Sequence, residues 1–507
     1  MRWTRPRWNA SSTAGSWAAA LALAFAWAAS RVVDSVPFAP LSVGDRLIRL
    51  TPGDAATFAI DTFGKAASQG LAVAITLVFV LAGAVLPTLT AAGGRPRPYA
   101  AGLALAVGLF VAGIVAPMTP SSLPSVAVAA VSGLLYATSL QWLLTRTRTG
   151  SAADRHDPSR RRALLWIGSS AFGLALGGSL IGRLLGGAGP DTAVALKPPR
   201  TPAPPPADGR FPRVPGLAPE ITPVADHYVV DIDLVKPVIE ARDWRLRVGG
   251  LVQRPAKLSF AELQRRFEVV EQVSVLTCIS NPVGGPLIGN TAWTGVRLRD
   301  VLKAAGLKRG AVDIVFRGAD GYDVSIPVAR AMQSTALLAI GQNGRPLTQD
   351  HGFPCRVRVP ALYGMMNAKW VESIEVVGAD HRGYWAQRGW SEVGEVRTQS
   401  RIDTPARAQA GEPTWIAGVA WAGEREISRV EVSVDAGRTW QPAELRAPRS
   451  AVAWTQWAYR WTPQRAGTVR VLCRATDGEG QRQDATERSP HPAGATGYHD
   501  TEIRVTT

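Results

Sequence analysis

Two stretches of the 507-residue chain carry residues that could do chemistry. The first is LTCISNPVGGPLIGN, residues 276–290, where Cys278 follows an alternating apolar run and enters a turn rich in glycine and proline. The second is HGFPCRVRVPALYGMMNAKWV, residues 351–371, where His351, Arg356 and Lys369 stand among strand-like apolar residues and small turn residues. Donors of that kind suit a large anionic ligand with phosphate and many ring nitrogens. A thiolate beside such a cradle suits a soft metal attached to that ligand. The plainer reading of Cys278, and the default for an isolated cysteine, is a small buried hydrophobe at the end of a strand.

Other chemistries are poorly provided for. Cys278, Cys355 and Cys473 are the three cysteines, too few for a disulfide framework and without a CxxC zinc spacing. A formal net charge of +16 raises nucleic acid as a partner, but the second half holds no Lys/Arg block interleaved with aromatics, so no nucleic acid is expected. Much of the basic excess lies beside apolar segments instead.

Those segments define the first part of the chain. GSWAAALALAFAWAAS from Gly15, GLAVAITLVFVLAGAVLPTL from Gly70, YAAGLALAVGLFVAGIVAPM from Tyr99, VAVAAVSGLLYATSLQWLL from Val126 and ALLWIGSSAFGLALGGSLIGRLL from Ala163 mostly approach the ~20 residues that span a bilayer. An all-α membrane bundle of about five helices is expected over 1–190, the first helix an anchor rather than a cleaved signal peptide. Arg2, Arg5 and Arg7, Arg95 and Arg97, then Arg146, Arg148, Arg155 and Arg160 to Arg162 fall on one side, while the loop TPSSLPS carries no charge. The N-terminus is therefore expected in the cytoplasm of a multi-pass cell-membrane protein, with everything beyond ~190 extracytoplasmic. All six histidines lie outside the apolar segments, which leaves no bis-histidine haem between helices. No Asp or Glu sits at mid-depth, which favours an anchoring or docking bundle over a transport site. SRRRALLWIG, from Ser159, reads either as a twin-arginine export signal or as ordinary positive-inside charge.

A proline-rich extended linker follows over 191–220. Over 221–403 strand and helix patterns intermix: WRLRVGGLV alternates, SFAELQRRF begins at a Ser259 N-cap, and VRLRDVLKAAGL is amphipathic with a glycine stop. That pattern predicts an α+β domain. Over 404–507 the runs ISRVEVSVDAGRTW, AYRWTPQRAGTVRVLCRA and TEIRVTT alternate between turns and predict an immunoglobulin-like β-sandwich.

Taken together, LTCISNPVGGPLIGNTAWTGVRLRDVL, ADGYDVSIP, LLAIGQNGRPLTQDHGFPCRVRVPALYGMMNAKW and VEVSVDAGRTW resemble, in order, the sulfite oxidase family of molybdopterin enzymes. The resemblance runs from ~220 to the end. It implies a sulfite-oxidase-type molybdopterin domain, an immunoglobulin-like dimerisation domain and a homodimer. It also implies a molybdenum-molybdopterin cofactor whose metal is held by Cys278. His351, Arg356, Asn367, Ala368 and Lys369 fall on the family's cofactor-binding positions, and Asp320 does so across a small gap. HYVVD (His227, Tyr228, Val229, Val230 and Asp231) resembles the first pterin-binding segment. The glycines after Cys278 would then let the backbone approach the cofactor.

The departures bear on the substrate. Where sulfite oxidases follow the cysteine with asparagine and two arginines, this chain has Asn281-Pro282-Val283, and the arginine of the first pterin segment falls on Val230 or Asp231. The active-site tyrosine falls on Trp390, while the pocket tryptophan is retained at Trp293. Trp293 and Trp390 are thus expected beside the metal, in a pocket short of cations that disfavours sulfite and suits a small neutral oxo compound. Arg382, Arg388 and Arg397 are the cations that could restore anion binding. No fused haem, CxxCH or iron–sulfur cysteines are present, so a separate cytochrome or quinone-linked electron partner is implied. An enzyme that receives its cofactor in the cytoplasm would cross the membrane folded, which favours the twin-arginine reading. The competing reading, from another class, is a non-catalytic membrane receptor or scaffold that keeps the pterin fold for binding.

Overall fold

A computed structural model describes residues 10–32, 36, 38–51, 65–91, 95–114, 123–148, 194–205, 211–234 and 236–507. The chain divides into two units, Met1–Gly189 with Asp231–Val238, and Pro190–Val230 with Ile239–Thr507.

The first unit is helical: α1 (Ala10–Val32), α2 (Ala39–Leu50), α3 (Lys65–Leu89), α4 (Pro98–Ile114) and α5 (Leu123–Arg148). Alanine gives α1 a narrow buried stripe, Ala14, Ala18, Ala19 and Ala22, so neighbouring backbones come close. A Cβ on Gly15 or Gly83 would strike the facing helix, and Gly102 of α4 and Gly133 of α5 each abut the other's carbonyl oxygen. The Tyr136 hydroxyl donates to the Gly83 carbonyl at 2.5 Å, tying α5 to α3. Leu77, Leu81 and Val85 of α3 and Leu103, Val107 and Val111 of α4 form outward apolar rows. Three helices, over Ser11–Ser30, Gly70–Leu89 and Pro124–Thr145, are long and apolar enough to cross a membrane; the apolar stretch Pro98–Ala112 is shorter. The span expected from Ala163 and the SRRRALLWIG stretch lie outside the described residues.

Helix α2 was not foreseen. It is short and amphipathic, and it receives residues Asp231–Val238: Asp233 takes both carboxylate oxygens to Arg49 at 2.8 Å, and Asp45 accepts from the Leu234 amide at 2.5 Å.

In the second unit, strands β1 (Arg245–Gly250), β2 (Ala256–Ser259), β3 (Val269–Thr277), β4 (Ile288–Arg297), β5 (Asp313–Gly318), β6 (Asp323–Pro327), β7 (Leu337–Gln342), β8 (Arg345–Pro346), β9 (Arg356–Arg358) and β10 (Val371–Val377) form two sheets. One has the order β2-β1-β10-β5-β6; the other has β3-β4-β7-β8, with β9 also paired to β7. The two helices expected here form: α6 (Phe260–Arg266) starts at a Ser259–Glu262 capping box, and α7 (Leu298–Ala305) stops at Gly306, φ +72°. This β-rich region is followed by β11 (Gln399–Thr404), β12 (Arg407–Gln409), β13 (Thr414–Trp421), β14 (Ile427–Ser433), β15 (Gln441–Pro442), β16 (Glu444–Leu445), β17 (Thr455–Trp461), β18 (Gly467–Asp477) and β19 (His499–Thr506). They make the sheets β11-β13-β17-β16 and β12-β19-β18-β14-β15. Ile402, Ile416, Ala420 and Trp457 of one sheet pack on Val430, Val432, Val471 and Ile503 of the other, with Cys473 among them as a buried apolar filler.

Candidate cofactor site

The nine-residue β3 runs antiparallel to β4 and ends at Thr277, so Cys278 is the first residue past the sheet. The turn is fixed from within: the Cys278 amide donates to the Leu287 carbonyl, and the Asn281 side-chain oxygen accepts from the Leu287 amide at 2.9 Å. The Sγ lies 3.0 Å from the Ser280 hydroxyl. Burial raises the thiol's pKa, while the Ser280 hydroxyl and the amides of Ser280 and Ile279 pull the other way. A ligand cation that displaced the proton would find those donors already in place for the thiolate.

The glycines of this turn serve a different contact from the one expected. Gly284, φ +73°, has no room for a Cβ because the His499 ring occupies the space, and Gly285 abuts the Asn281 side chain. They let the turn close on itself and on β19. The glycines that admit functional side chains are elsewhere: a Cβ on Gly289 would stand 2.5 Å from His227, and one on Gly364 would stand 2.5 Å from the Tyr228 hydroxyl.

Near the thiol the lining is phenolic. Burial raises the pKa of Tyr228, Tyr322 and Tyr363, and the charge of Cys278 raises each further, so all three stay neutral donors. Tyr322 donates to the Met365 carbonyl at 2.6 Å, and the Tyr363 oxygen accepts from the Arg397 amide at 3.3 Å. Behind the turn, Ile279 and Ile288 share an apolar cluster with Trp390, whose buried indole N–H has no partner.

A second group gathers on the face of β4 that carries Gly289, Thr291 and Trp293. The His227 ring lies 5.2 Å from the His351 ring and 5.9 Å from Trp293. Its Nδ1 faces the Tyr228 carbonyl at 3.2 Å; a carbonyl only accepts, so the proton is on Nδ1 and the buried Nε2 is a bare acceptor. Burial, then the neighbouring His351, push the His227 pKa down to about 3; burial and then Arg356 push that of His351 down to about 4. Arg356 donates to the carbonyls of His351 and Asn367, and its guanidinium lies 5.2 Å from the Trp293 ring centre. Lys369 donates to the Asp350 carbonyl at 2.9 Å, and Ala368 pairs through its carbonyl with the Val357 amide. Asp320, buried, accepts from the Tyr322 amide on the loop whose Ala319 amide donates to the Trp370 carbonyl.

Of the expected positions His227, His351 and Arg356 gather around Trp293, and four, Trp293 and Val229 to Asp231, differ from expectation. Trp293 pairs with Gln272, six positions before Cys278 along the strand, which is about 20 Å of extended chain. It belongs with the histidines and arginines, not with the thiol. Asp231 pairs with Lys236 at 3.5 Å and falls in the segment that completes the helical unit; Val230, before it, is 44% exposed. Val229 is half-buried and brings no polar group. Three residues were missed. Arg358 is fully buried two positions along β9 from Arg356, hence on the same face; Gln342, directly opposite Trp293, and Thr291 bury side-chain polar atoms that have no partner. The alternation R-V-R within a buried strand was the available signal for Arg358.

Two comparisons with known proteins decide the family. Residues 233–385 match the oxidoreductase molybdopterin binding domain and residues 391–489 the Mo-co oxidoreductase dimerisation domain. The chain is 35% identical over 292 residues to the sulfite oxidase of Gallus gallus, covering 48% of this chain and 63% of that protein. The chain belongs to the sulfite oxidase family of molybdopterin oxidoreductases. It is also 36% identical over 227 residues to the mitochondrial sulfite oxidase of Homo sapiens (38% of this chain, 41% of that protein) and 32% identical over 285 residues to a nitrate reductase [NAD(P)H] of Hordeum vulgare (45% and 32%). It thus spans less than two thirds of the length of these curated relatives. In fold it resembles the sulfane dehydrogenase SoxCD of Paracoccus pantotrophus, with a TM-score of 0.50 at 23% identity over 56% of this chain and 81% of that one.

Membership in the sulfite oxidase family implies a molybdenum-molybdopterin cofactor, and the residues present fit one. A thiol with three thiolate-stabilising donors suits the metal. Two buried arginines and Lys369 suit an anion, and the buried unpartnered acceptors and donors of His227, Thr291 and Gln342 suit a heteroatom-rich ring.

Proposed function

We propose that the chain is a membrane-anchored, extracytoplasmic molybdopterin oxidoreductase that moves two electrons with oxygen-atom transfer on a small neutral or weakly polar oxo compound, such as a sulfoxide or an N-oxide. The observation that carries this reading is the lining beside Cys278. Its turn keeps Asn281 but continues with Pro282 and Val283 where the family's sulfite enzymes have two arginines, and the phenols of Tyr228, Tyr322 and Tyr363 stand close enough for the charge of Cys278 to act on them. The arginines that could restore anion binding are engaged elsewhere. Arg382 donates to the Ala386 carbonyl, Arg388 lies over the Tyr384 ring at 3.6 Å, and the Arg397 Nε donates to the Ala493 carbonyl.

When bound, the molybdenum group supplies the two-electron, oxygen-transferring chemistry. The chain's part is to hold and select. Cys278 would give up its proton and ligate, with Ser280 and two amides stabilising the sulfur. Arg356, Arg358, Lys369, His227 and His351 would hold the organic part. The phenols of Tyr228 and Tyr363 and the Trp390 indole offer neutral hydrogen bonds to a substrate oxygen, which a dianion cannot use as well as guanidinium groups. The two-sheet C-terminal domain is read as immunoglobulin-like and as the homodimer contact, and a separate cytochrome or quinone-linked subunit as the electron partner.

Sulfite oxidation and sulfoxide reduction, assayed on the purified chain with an artificial electron mediator, test the reading. Sulfoxide turnover with little sulfite turnover is expected; robust sulfite turnover that fades as salt screens the site would reverse the substrate assignment. Absence of molybdenum and pterin from the purified protein would overturn the reading altogether.

A further inference from the structure

Arg358 poses an electrostatic problem that the protein alone does not solve. Its side chain is fully buried. Its Nη1 donates to the Asn367 side-chain oxygen at 2.7 Å, and its Nη2 to the Ser274 hydroxyl at 2.9 Å and the Val275 carbonyl at 2.6 Å. All three partners are neutral, and among the described residues the buried Nε has no partner and no carboxylate is paired with the guanidinium. Arg356 stands two residues away on the same strand face, and both guanidinium carbons lie close to one indole, 5.2 and 5.4 Å from the Trp293 ring centre. A guanidinium buried away from water beside a second cation is disfavoured unless an anion joins it. Burial, then the charge of Arg356, accordingly push the Arg358 pKa down to about 9. Neither flanking histidine supplies negative charge, since a neutral imidazole carries none.

We propose that Arg358 is a cofactor-binding cation: buried beside Arg356, it takes its countercharge from the anionic part of the bound pterin. The proposal rests on the reading that the chain binds molybdopterin. It makes Arg358 a device that couples loading to stability: without the cofactor its charge is buried among neutral partners, and with it that charge is neutralised. Arg358 also reaches both halves of the site, since Ser274 and Val275 lie on β3 just ahead of Cys278 while Asn367 opens the Asn367–Lys369 run. The competing role is a structural clamp between those two segments, in which the charge is incidental.

Unfolding midpoints of the full chain, prepared with cofactor and from cells unable to make it, separate the two roles in wild type, Arg358→Lys and Arg358→Gln. The expected result is that loading raises the midpoint of wild type and Arg358→Lys alike, but raises that of Arg358→Gln by less than half as much. Release of the pterin from Arg358→Gln, followed by its fluorescence, should be about tenfold faster. The proposal is overturned if Arg358→Gln gains as much on loading as wild type, or if Lys and Gln lose the gain equally, as a clamp of fixed geometry would. If Arg358→Gln yields no folded protein in either state, Arg358→Lys decides: a wild-type gain supports the charge, and a lost gain refutes it. Wild type that carries no pterin under any condition would instead remove the cofactor reading, a separate failure recognisable before any variant is made.

Discussion

At Cys278, burial favours the thiol while the Ser280 hydroxyl and two backbone amides favour the thiolate. That balance is useful only to a residue that changes its protonation on meeting a ligand. Replacing it by serine keeps the volume and the Ser280 contact. Cys278→Ser should therefore abolish molybdenum retention and turnover while moving the unfolding midpoint of the cofactor-free chain by no more than about 1 kcal/mol equivalent, measured by metal analysis and calorimetry. The histidines behave differently. His227 and His351 titrate near 3 and 4 in the fold but near 6.5 when unfolded, so between those limits the unfolded chain binds protons that the native chain does not. Stability thus rises with pH across that window and is lost as pH falls below about 6.5. In urea titrations of the cofactor-free chain from pH 7 to 4.5, His351→Gln should lose less stability than wild type, the difference reaching on the order of 1–3 kcal/mol.

At the scale of elements, the Cys278 turn is held between its own hairpin and β19. Because Gly284 has φ +73° and faces His499, whose Nδ1 accepts from the Ile402 amide at 2.9 Å, the ring cannot simply swing away. Gly284→Ala should cost roughly 1–3 kcal/mol in denaturant unfolding and weaken metal retention as well, since strain there is transmitted to the turn. Patterning made much of this level legible in advance. The Ser259 cap, the Gly306 stop and the alternation of β1 each rest on a local rule, and local rules act within a few residues. What escaped depends on register. Trp293 lies near Cys278 in sequence, but the hairpin sends β4 back along β3, so each residue into β4 adds distance from the turn. Arg358 escaped because a buried cation violates the expectation for a core strand, and such violations mark sites. The pairing of helix α2 with the segment it receives could not be foreseen: it joins residues 184 positions apart, beyond the reach of any local pattern.

For the molecule as a whole, the family match to a dimerisation domain predicts association of two chains. Sedimentation of the detergent-solubilised chain should show twice the mass of one, and a monomer across micromolar concentrations would count against it. Segment Asp231–Val238 carries a different implication. The helical unit is discontinuous in sequence, closed by eight residues that lie beyond the proline-rich stretch and inside the start of the enzymatic region. On a ribosome, α1 to α5 emerge first, and the carboxylate that Arg49 grips at 2.8 Å is made 184 residues later. Assembly of the helical unit thus waits on translation of the region that follows it, and no single peptide bond separates the two units: a cut near residue 190 would release the second only by taking from the helical unit a piece of its own.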